Sequence, residues 1–323
     1  MKQMTYAAAL VDGLEHAMRS DERIVLVSSH LLGLGPHRAL MDPLIEKYHD
    51  RILEPPNCES ALAGLGAGAA MAGDRPLINF STANFTYVAW SQFINDAAPM
   101  HHMTNGAIKV PVVYYAMHGV RGGGAAQHSG SPQAMLWNCP GLEIVLPASP
   151  SDAKGLLVSA LKSDNPTFFI THSKLLGTQG PVPEGPYEVP LGRAEIKRQG
   201  RDVTIVATSL MVVLALAAAE ELAKDGIEAE VVDPRTLVPL DEATILGSVA
   251  RTGRVVVVDE CHQRCSTASE IAATIAEKAF ASLKAPPIRV ARADVPTPFS
   301  AALEAAITPD KDKIMAAVKR VMV

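Results

Sequence analysis

The chain has 323 residues, of which 48% are hydrophobic and 20% are charged, and its net charge is −5. This length is enough for two domains that each close a hydrophobic core. Because the net charge is negative and the basic residues are scattered along the chain, the composition argues against nucleic-acid and membrane-surface partners. The most apolar stretch, residues 203–223, is broken by Thr and Ser and turns acidic. It therefore predicts a buried strand and a helix rather than a membrane span.

The four cysteines, Cys58, Cys139, Cys261 and Cys265, follow no framework spacing. The first residues carry acidic side chains and helical periodicity, unlike a signal peptide. Both observations favour a reducing cytoplasm. Cys261, His262 and Cys265 suggest metal ligands at first sight, but a structural zinc needs four ligands and the chain offers no second pair. A local loop is the simpler interpretation.

Helix and strand patterns alternate through the first half of the chain. Apolar residues at helical spacing predict helices over residues 5–18, 41–48, 60–72, 86–98 and 152–163. Continuous apolar and β-branched runs predict strands over residues 24–28, 51–55, 77–80, 110–117, 142–150 and 166–172. Alternation of this kind is typical of a parallel sheet with helices on both faces.

A linker is predicted at residues 176–190, because residues 175–190 hold four prolines and three glycines, too many for regular structure. A first domain over residues 1–175 and a second over residues 191–323 follow from it. In the second domain we expect strands over residues 203–208, 228–233, 254–260 and 287–292, and helices over residues 211–225, 241–251, 266–283 and 312–322. This half is again of the α/β class.

A single carboxylate, Glu59, stands where an extended segment meets a helix of very small residues. Pro55 and Pro56 bar a helix before it, so Glu59 falls in the first helical turn. An acidic residue there is favoured by the helix dipole by a few tenths of a kcal/mol. The small side chains that follow allow another element to approach closely, which predicts partial burial of Glu59. From spacing alone, an ordinary helix-opening residue and a functional carboxylate both remain open.

The long loop HGVRGGGAAQHSGSP is the second candidate site. Ligands of open α/β sheets bind beyond the carboxyl ends of the strands, and this loop follows one. Its glycines allow close backbone approach to a ligand, and His128 supplies a group that titrates near neutrality. A surface loop with an incidental histidine is the alternative. The loop lacks the Lys-Ser/Thr ending of a P-loop, and GLGAG lacks the third glycine of a dinucleotide fingerprint. A Gly-x-Ser-x-Gly elbow is also missing.

Several segments taken together carry a resemblance that covers roughly residues 4–321. EPPNCESALAGLGAGAAMAGDRP, NFSTANF, GAAQHSGSPQAML, PGLEIVLPASPSDAKGLL and VVDPRTLVPLDEATI resemble the β subunit of the thiamine-diphosphate-dependent E1 component of 2-oxo acid dehydrogenase complexes. The run DECHQRCSTASEIAATIAEKAF looks most like the acetoin-dehydrogenase branch. The resemblance implies an α/β fold: a transketolase-type pyrimidine-binding domain with a parallel sheet, then a transketolase C-terminal α/β domain.

The resemblance also implies roles for individual residues. Glu59 falls on the family's catalytic glutamate, whose carboxyl donates a hydrogen bond to N1′ of the cofactor's aminopyrimidine, so that the 4′-imino tautomer can take the proton from C2. Phe85 falls where an aromatic ring stacks on that aminopyrimidine. His128 falls on the histidine that lines the substrate pocket and assists acyl transfer to the lipoyl group. Asn57 replaces a usual aliphatic residue of the cofactor pocket. A monovalent cation, K⁺, is implied at backbone carbonyls near Ala160 and Asn165.

A signature that is missing points to a partner subunit. The family's diphosphate-holding Gly-Asp-Gly followed by Asn-Asn belongs to the α subunit and is absent from this chain. The resemblance therefore implies that thiamine diphosphate is shared with an α subunit, which also holds Mg²⁺, in an α₂β₂ heterotetramer. The C-terminal domain is implied as the docking surface for the E2 lipoyl acyltransferase core.

Four positions, Ser28, Ser29, Ser91 and Asn57, depart from the family pattern. Ser28 and Ser29 replace two acids after the first strand, and Ser91 stands where many relatives carry aspartate. These acids contribute to a polar connection between the two cofactors, so communication between sites is in question. The polar Asn57 favours an acyloin or an unusual oxo substrate. Two alternatives stay open: a split transketolase-like half that acts on sugar phosphates, and a non-catalytic assembly subunit.

Overall fold

The computed structural model describes residues 1–323 as two compact units. Unit 1 comprises Met1–His118 and Met135–Leu191, and unit 2 comprises Gly119–Ala134 and Gly192–Val323. The glycine-rich loop therefore packs with the second half of the chain, which the sequence pattern did not predict. Its anchoring residues lie more than a hundred positions downstream, and local composition carries no signal for such contacts.

Unit 1 is built on a parallel sheet. Its strands are β1 (Lys2–Thr5), β2 (Ile24–Val27), β3 (Ile52–Leu53), β4 (Arg75–Thr82), β5 (Val113–His118), β6 (Glu143–Val145), β7 (Thr167–His172) and β8 (Gln179–Val182). Its helices are α1 (Tyr6–Ser20), α2 (Asp42–Lys47), α3 (Glu59–Ala72), α4 (Met100–Met103), α5 (Gln133–Trp137), which crosses the unit boundary, and α6 (Pro150–Lys162). Parallel pairing gives the order β6-β7-β5-β4-β2-β3, and β1 pairs with β8 antiparallel.

The core of unit 1 is set by aromatic rings and by one close helix pair. Phe93 packs edge-on against Tyr114 and Phe168, with ring centroids 4.7 and 4.8 Å apart. Helix α1 packs on α6 at Gly13, where an added Cβ would lie 3.1 Å from the Lys154 carbonyl oxygen. The Lys154 ammonium, on a side chain only 2% exposed, pairs with the Asp12 carboxylate at 2.6 Å. These contacts fix the scaffold on which Glu59 is carried.

Two local predictions differ from the structure. Residues 86–98 were expected to form one α-helix, but the chain forms a 3₁₀ segment at Ala83–Ala89 and then a π-helix at Gln92–Ala97. The π segment buries Phe93 and Ala97, and core packing of the aromatic cluster overrides local propensity here. The predicted linker was expected to be irregular, yet it contains β8, whose partner β1 lies at the other end of the domain.

Unit 2 holds a second, mostly parallel sheet. The strands of unit 2 are β9 (Glu195–Arg198), β10 (Val203–Ala207), β11 (Ala229–Asp233), β12 (Thr236–Val238), β13 (Val255–His262) and β14 (Ile288–Arg292), and all but β12 belong to this sheet. Its helices are α7 (Leu210–Lys224), α8 (Glu242–Thr252), α9 (Thr267–Lys278), α10 (Ala301–Ile307) and α11 (Lys311–Met322). The sheet order is β14-β13-β10-β11-β9, parallel except for β9. None of the chain's helices combines the length and the apolar character that crossing a bilayer requires.

Candidate functional site

Glu59 opens helix α3, as the sequence predicts. Cys58 is the N-cap residue, with an extended backbone at φ −153° and ψ 91°, and its side chain caps no backbone N–H. The first turn therefore keeps uncapped N–H groups beside the Glu59 carboxylate, where the helix dipole favours an acidic group. The side chain is partly exposed, so it is open to a ligand at this end of α3.

Helix α3 is held close to the segment that carries Phe85. The Ser60 hydroxyl donates a hydrogen bond to the Val88 carbonyl at 2.9 Å. Farther along, the Tyr114 hydroxyl donates to the Ala63 carbonyl at 3.2 Å. Phe85 is itself partly exposed within the 3₁₀ segment. Unit 1 thus carries a carboxyl group and an aromatic ring on two contacting elements.

Helix α3 has one face, at Gly66, that packs on the sheet of unit 1 and another face, at Gly68, that is open. An added Cβ at Gly66 would lie 2.5 Å from Ile78, because that face packs on the sheet. An added Cβ at Gly68 would meet nothing within 4 Å, and Leu65 is 48% exposed. The small residues therefore serve two purposes: Gly66 allows close packing inside unit 1, and Gly68 lies on a face that is free of contacts.

A polar cluster formed by Ser28 and Ser29 after β2, Glu54 after β3 and Asn79 within β4 was not predicted from the sequence. The Glu54 carboxylate accepts a hydrogen bond from the Ser29 N–H at 2.8 Å, and the Asn79 side chain donates to the Ser28 carbonyl at 3.2 Å. Ser28 has a left-handed φ of 67°. Glu54 places a carboxylate beside Ser28 and Ser29, the two positions at which the resemblance implies that acids are usual. Its position directly after β3 is the signal that could have found it.

His128 lies on the loop assigned to unit 2. Its side chain is exposed, but its backbone is fixed: the Arg121 guanidinium donates from Nε to the His128 carbonyl at 2.9 Å. Burial lowers the pKa of Arg121. Gly124 allows the loop to fold back, because an added Cβ there would lie 2.7 Å from Ser129 Oγ. A fixed backbone under an exposed ring suits a group that meets substrate.

Three buried carboxylates hold this loop, and sequence reasoning missed them all. Glu260 Oε1 accepts from the Val120 N–H at 2.5 Å, and Glu304 Oε1 accepts from the Gly123 N–H at 3.0 Å. Asp259 Oδ1 accepts from the Gln133 amide at 3.3 Å and from the Thr208 hydroxyl at 2.6 Å. The exposed fractions of Asp259, Glu260 and Glu304 are 1%, 1% and 4%.

The structure places the remaining predicted residues as follows. Asn57 is exposed two positions before Glu59. The Ala160 carbonyl accepts from the Ser163 N–H at 3.2 Å, and the Asn165 amide donates to Glu143 at 3.0 Å.

A guanidinium already lies in the turn where the cation was predicted. Arg75 Nη1 donates to the carbonyls of Leu161 and Ser163 at 3.1 and 2.8 Å, and Nη2 donates to Asp164 at 2.7 Å. These are carbonyls of the same turn that holds Ala160 and Asn165. Any monovalent cation here has to share the turn with Arg75.

Two domain families match the chain. "Transketolase, pyrimidine binding domain" matches residues 2–179, and "Transketolase, C-terminal domain" matches residues 192–314. A split gene transketolase, described as an inactive beta4 tetramer, shares the fold with a TM-score of 0.78 at 24% identity, covering 98% of this chain and 96% of that one. The two α/β units thus define a transketolase-type chain.

Full-length relatives narrow this class. The acetoin:2,6-dichlorophenolindophenol oxidoreductase subunit beta of Cupriavidus necator is 40% identical over 99% of this chain and 98% of its own length. The mitochondrial pyruvate dehydrogenase E1 component subunit beta-1 of Arabidopsis thaliana is 38% identical over 99% of this chain and 89% of its own. The chain belongs to the family of these β subunits, the thiamine-diphosphate-dependent E1 β chains.

Proposed function

We propose that this chain is the β half of an E1 enzyme that, with an α subunit, cleaves a carbon–carbon bond next to a carbonyl and passes the acyl fragment to lipoamide. The observation that carries the proposal is Glu59 in the uncapped first turn of α3, on an element in contact with the segment of Phe85. A carboxyl group and an aromatic ring so placed fit an aminopyrimidine, which needs one hydrogen-bond partner and one stacking surface.

The chain's own residues have separable roles in this proposal. Bound thiamine diphosphate supplies the carbanion chemistry at its C2. Glu59 holds a proton at N1′ of the aminopyrimidine, and Phe85 orients that ring by stacking. His128 moves a proton during acyl transfer to the lipoyl group, and Asn57 makes the pocket more polar. An exposed imidazole on a fixed backbone suits that transfer, because proton transfer requires the ring within hydrogen-bond reach of the reacting group.

The rest of the site is proposed to come from partners. Thiamine diphosphate is shared with an α subunit, which holds the Mg²⁺, in an α₂β₂ assembly. The open face of α3 at Gly68 supports this, since a chain face with no Cβ allows close approach of another backbone. The E2 lipoyl acyltransferase core docks on the C-terminal domain. K⁺ at the carbonyls of Ala160 and Asn165 remains part of the proposal, with Arg75 as a competitor for that turn.

We propose an acyloin such as acetoin as the substrate class, because Asn57 is exposed and polar and because acetoin oxidoreductase β subunits stand among the relatives. Domain limits of 1–175 and 191–323 and a cytoplasmic location belong to the same proposal. The location is supported by the cysteines, all four of which are free thiols.

The test is co-production of the chain with an α subunit that carries the Gly-Asp-Gly signature. The purified pair should contain thiamine diphosphate by thiochrome assay and should reduce 2,6-dichlorophenolindophenol with acetoin or pyruvate. The β chain alone should do neither, since half of the site is absent. A β chain that turns over sugar phosphates by itself would instead support the split transketolase alternative. Complex formation without any turnover would support the assembly subunit.

A further inference from the structure

The strand order of the unit 2 sheet changes direction at β10. From β10 the chain runs to β11 on one side of the sheet, and it later returns to β13 on the other side. At such a switch point a doubly wound sheet binds ligands beyond its carboxyl ends. In this chain the position is filled by the protein itself: Thr208 directly follows β10, Asp259 lies within β13, and the side chains of Thr208 and Gln133 both donate hydrogen bonds to Asp259.

Arg292, the last residue of β14, is the largest side chain that is fully buried, with 1% exposed. Every one of its five N–H groups has an acceptor. Nε and Nη2 donate to the Glu260 carbonyl at 3.1 and 2.8 Å. Nη1 donates to the Ser129 carbonyl at 2.6 Å and to Thr297 Oγ1 at 3.0 Å, and Nη2 also donates to Ser131 Oγ at 2.9 Å.

Two of these acceptors flank the end of the loop that carries the histidine. Ser129 directly follows His128, and Ser131 is two residues farther on. The Gly119 N–H closes the base of the loop by donating to the Gly130 carbonyl at 3.0 Å. Arg292 thus joins β13 and β14 to the loop at the peptide next to His128. A charged, planar donor with a fixed fork sets orientation as well as distance.

We propose that Arg292 is a positioning residue for His128: it fixes the backbone from which the imidazole reaches substrate. This inference rests on the role given to His128 in the proposed function. Arg292 itself contacts main-chain and hydroxyl oxygens and is not a catalytic residue. Loss of its guanidinium leaves the carbonyls of Ser129 and Glu260 without their buried donor, so the loop loosens where His128 begins.

The experiment uses the αβ enzyme with Arg292→Ala, Arg292→Lys and the matched control Arg289→Ala. Arg289 lies on the same strand and donates to Gln263 and Ser269, away from the loop. In Arg292→Ala, hydrogen exchange of the loop amides should accelerate by about tenfold to a hundredfold, as the loss of buried hydrogen bonds predicts. In Arg289→Ala, exchange of these amides should stay at the wild-type rate. Arg292→Lys should keep part of the protection of these loop amides against hydrogen exchange.

A double-mutant cycle with His128→Ala separates positioning from general damage. Arg292→Ala should slow acyl transfer to lipoamide by up to about a hundredfold, the effect of displacing a reacting group by an ångström. In the His128→Ala background, adding Arg292→Ala should slow acyl transfer by less than about a further twofold, since the imidazole that Arg292 positions is gone. If Arg292→Ala fails to fold, Ser131→Ala removes an acceptor on the loop side and keeps the buried guanidinium.

Hydrogen exchange of the loop amides at the wild-type rate in Arg292→Ala or Ser131→Ala would overturn the inference. So would a double mutant in which the losses in acyl-transfer rate of the two single variants multiply. Failure of the proposed function looks different. In that case the wild-type αβ pair has no lipoamide-dependent turnover, and the exchange measurement still decides whether Arg292 fixes the loop at His128.

Discussion

The Glu304 carboxylate accepts a hydrogen bond from the Gly123 N–H at 3.0 Å, across 181 positions of sequence. Glu304 lies in the first turn of the short helix α10, and Gly123 has a left-handed φ of 74° in the middle of the glycine-rich loop. A carboxylate that is 4% exposed is stable there only because it is hydrogen-bonded. This contact supports the loop on the side that Arg292 does not reach.

Replacing Glu304 by Ala should therefore loosen the loop at Gly123. We expect a loss of about 1–3 kcal/mol in the free energy of unfolding, the range for a buried donor that loses its acceptor. Glu304→Gln keeps an acceptor oxygen and should lose less. Urea unfolding measures both. The matched control is Glu277→Ala, at an exposed position of α9. Equal stabilities for Glu304→Ala and Glu277→Ala would contradict the contact.

Two glycines of α3 should respond to the same substitution in opposite ways. Gly66→Ala forces a Cβ to within 2.5 Å of Ile78, so it should cost about 1–3 kcal/mol through overpacking. Gly68→Ala points into open space and should stabilise the isolated chain by about 0.5–1 kcal/mol through helix propensity.

The affinity for the α subunit gives a second test of the Gly68→Ala variant. If the open face of α3 receives the partner, Gly68→Ala should weaken the αβ complex even though the chain itself is more stable. Titration of labelled β chain with α subunit measures this. An αβ affinity that does not change in Gly68→Ala would remove this face from the proposed interface.

A pH dependence follows from Asp164. The Lys109 ammonium, with the Arg75 guanidinium, holds the pKa of Asp164 below its ordinary value of 3.8. A carboxyl whose pKa is lower in the folded chain stabilises the fold above the unfolded pKa, and this stabilisation is lost as the pH falls through the folded pKa. Asp164→Asn should therefore destabilise the chain near neutral pH by at most about 1 kcal/mol, because the pair is screened by solvent.

The difference between Asp164→Asn and the wild type should shrink as the pH falls below about 4, near the model-peptide value for Asp. Asp74→Asn, at an exposed position, is the control and should show no such trend. Thermal unfolding between pH 3 and 7 is the measurement. A stability difference that is constant over this range would show that Asp164 is not ionised in the pair.

Local chemistry explains what the sequence predicts well. Pro55 and Pro56 exclude a helix before Glu59, and the alanines and leucines after Glu59 favour one, so the start of α3 follows from neighbouring residues alone. The β-branched runs predict β10, β11, β13 and β14 for the same reason.

The features that the sequence predicts poorly depend on contacts between residues that lie far apart in the chain. The assignment of the His128 loop to unit 2 depends on Glu260, Arg292 and Glu304, whose contacts with it span 140 to 181 positions. The π-helix at Gln92–Ala97 depends on the ring packing of Phe93 in the core. Neither leaves a periodic pattern in the sequence.

The central claim concerns Glu59, and exchange of the cofactor's C2 proton tests it most directly. In the αβ enzyme with bound thiamine diphosphate, Glu59→Gln should slow exchange of the C2 proton for deuterium by at least about a hundredfold, the size expected for a lost acid–base group. The matched control Glu46→Gln, on the exposed side of α2, should exchange at the wild-type rate. Wild-type exchange in Glu59→Gln would contradict the account.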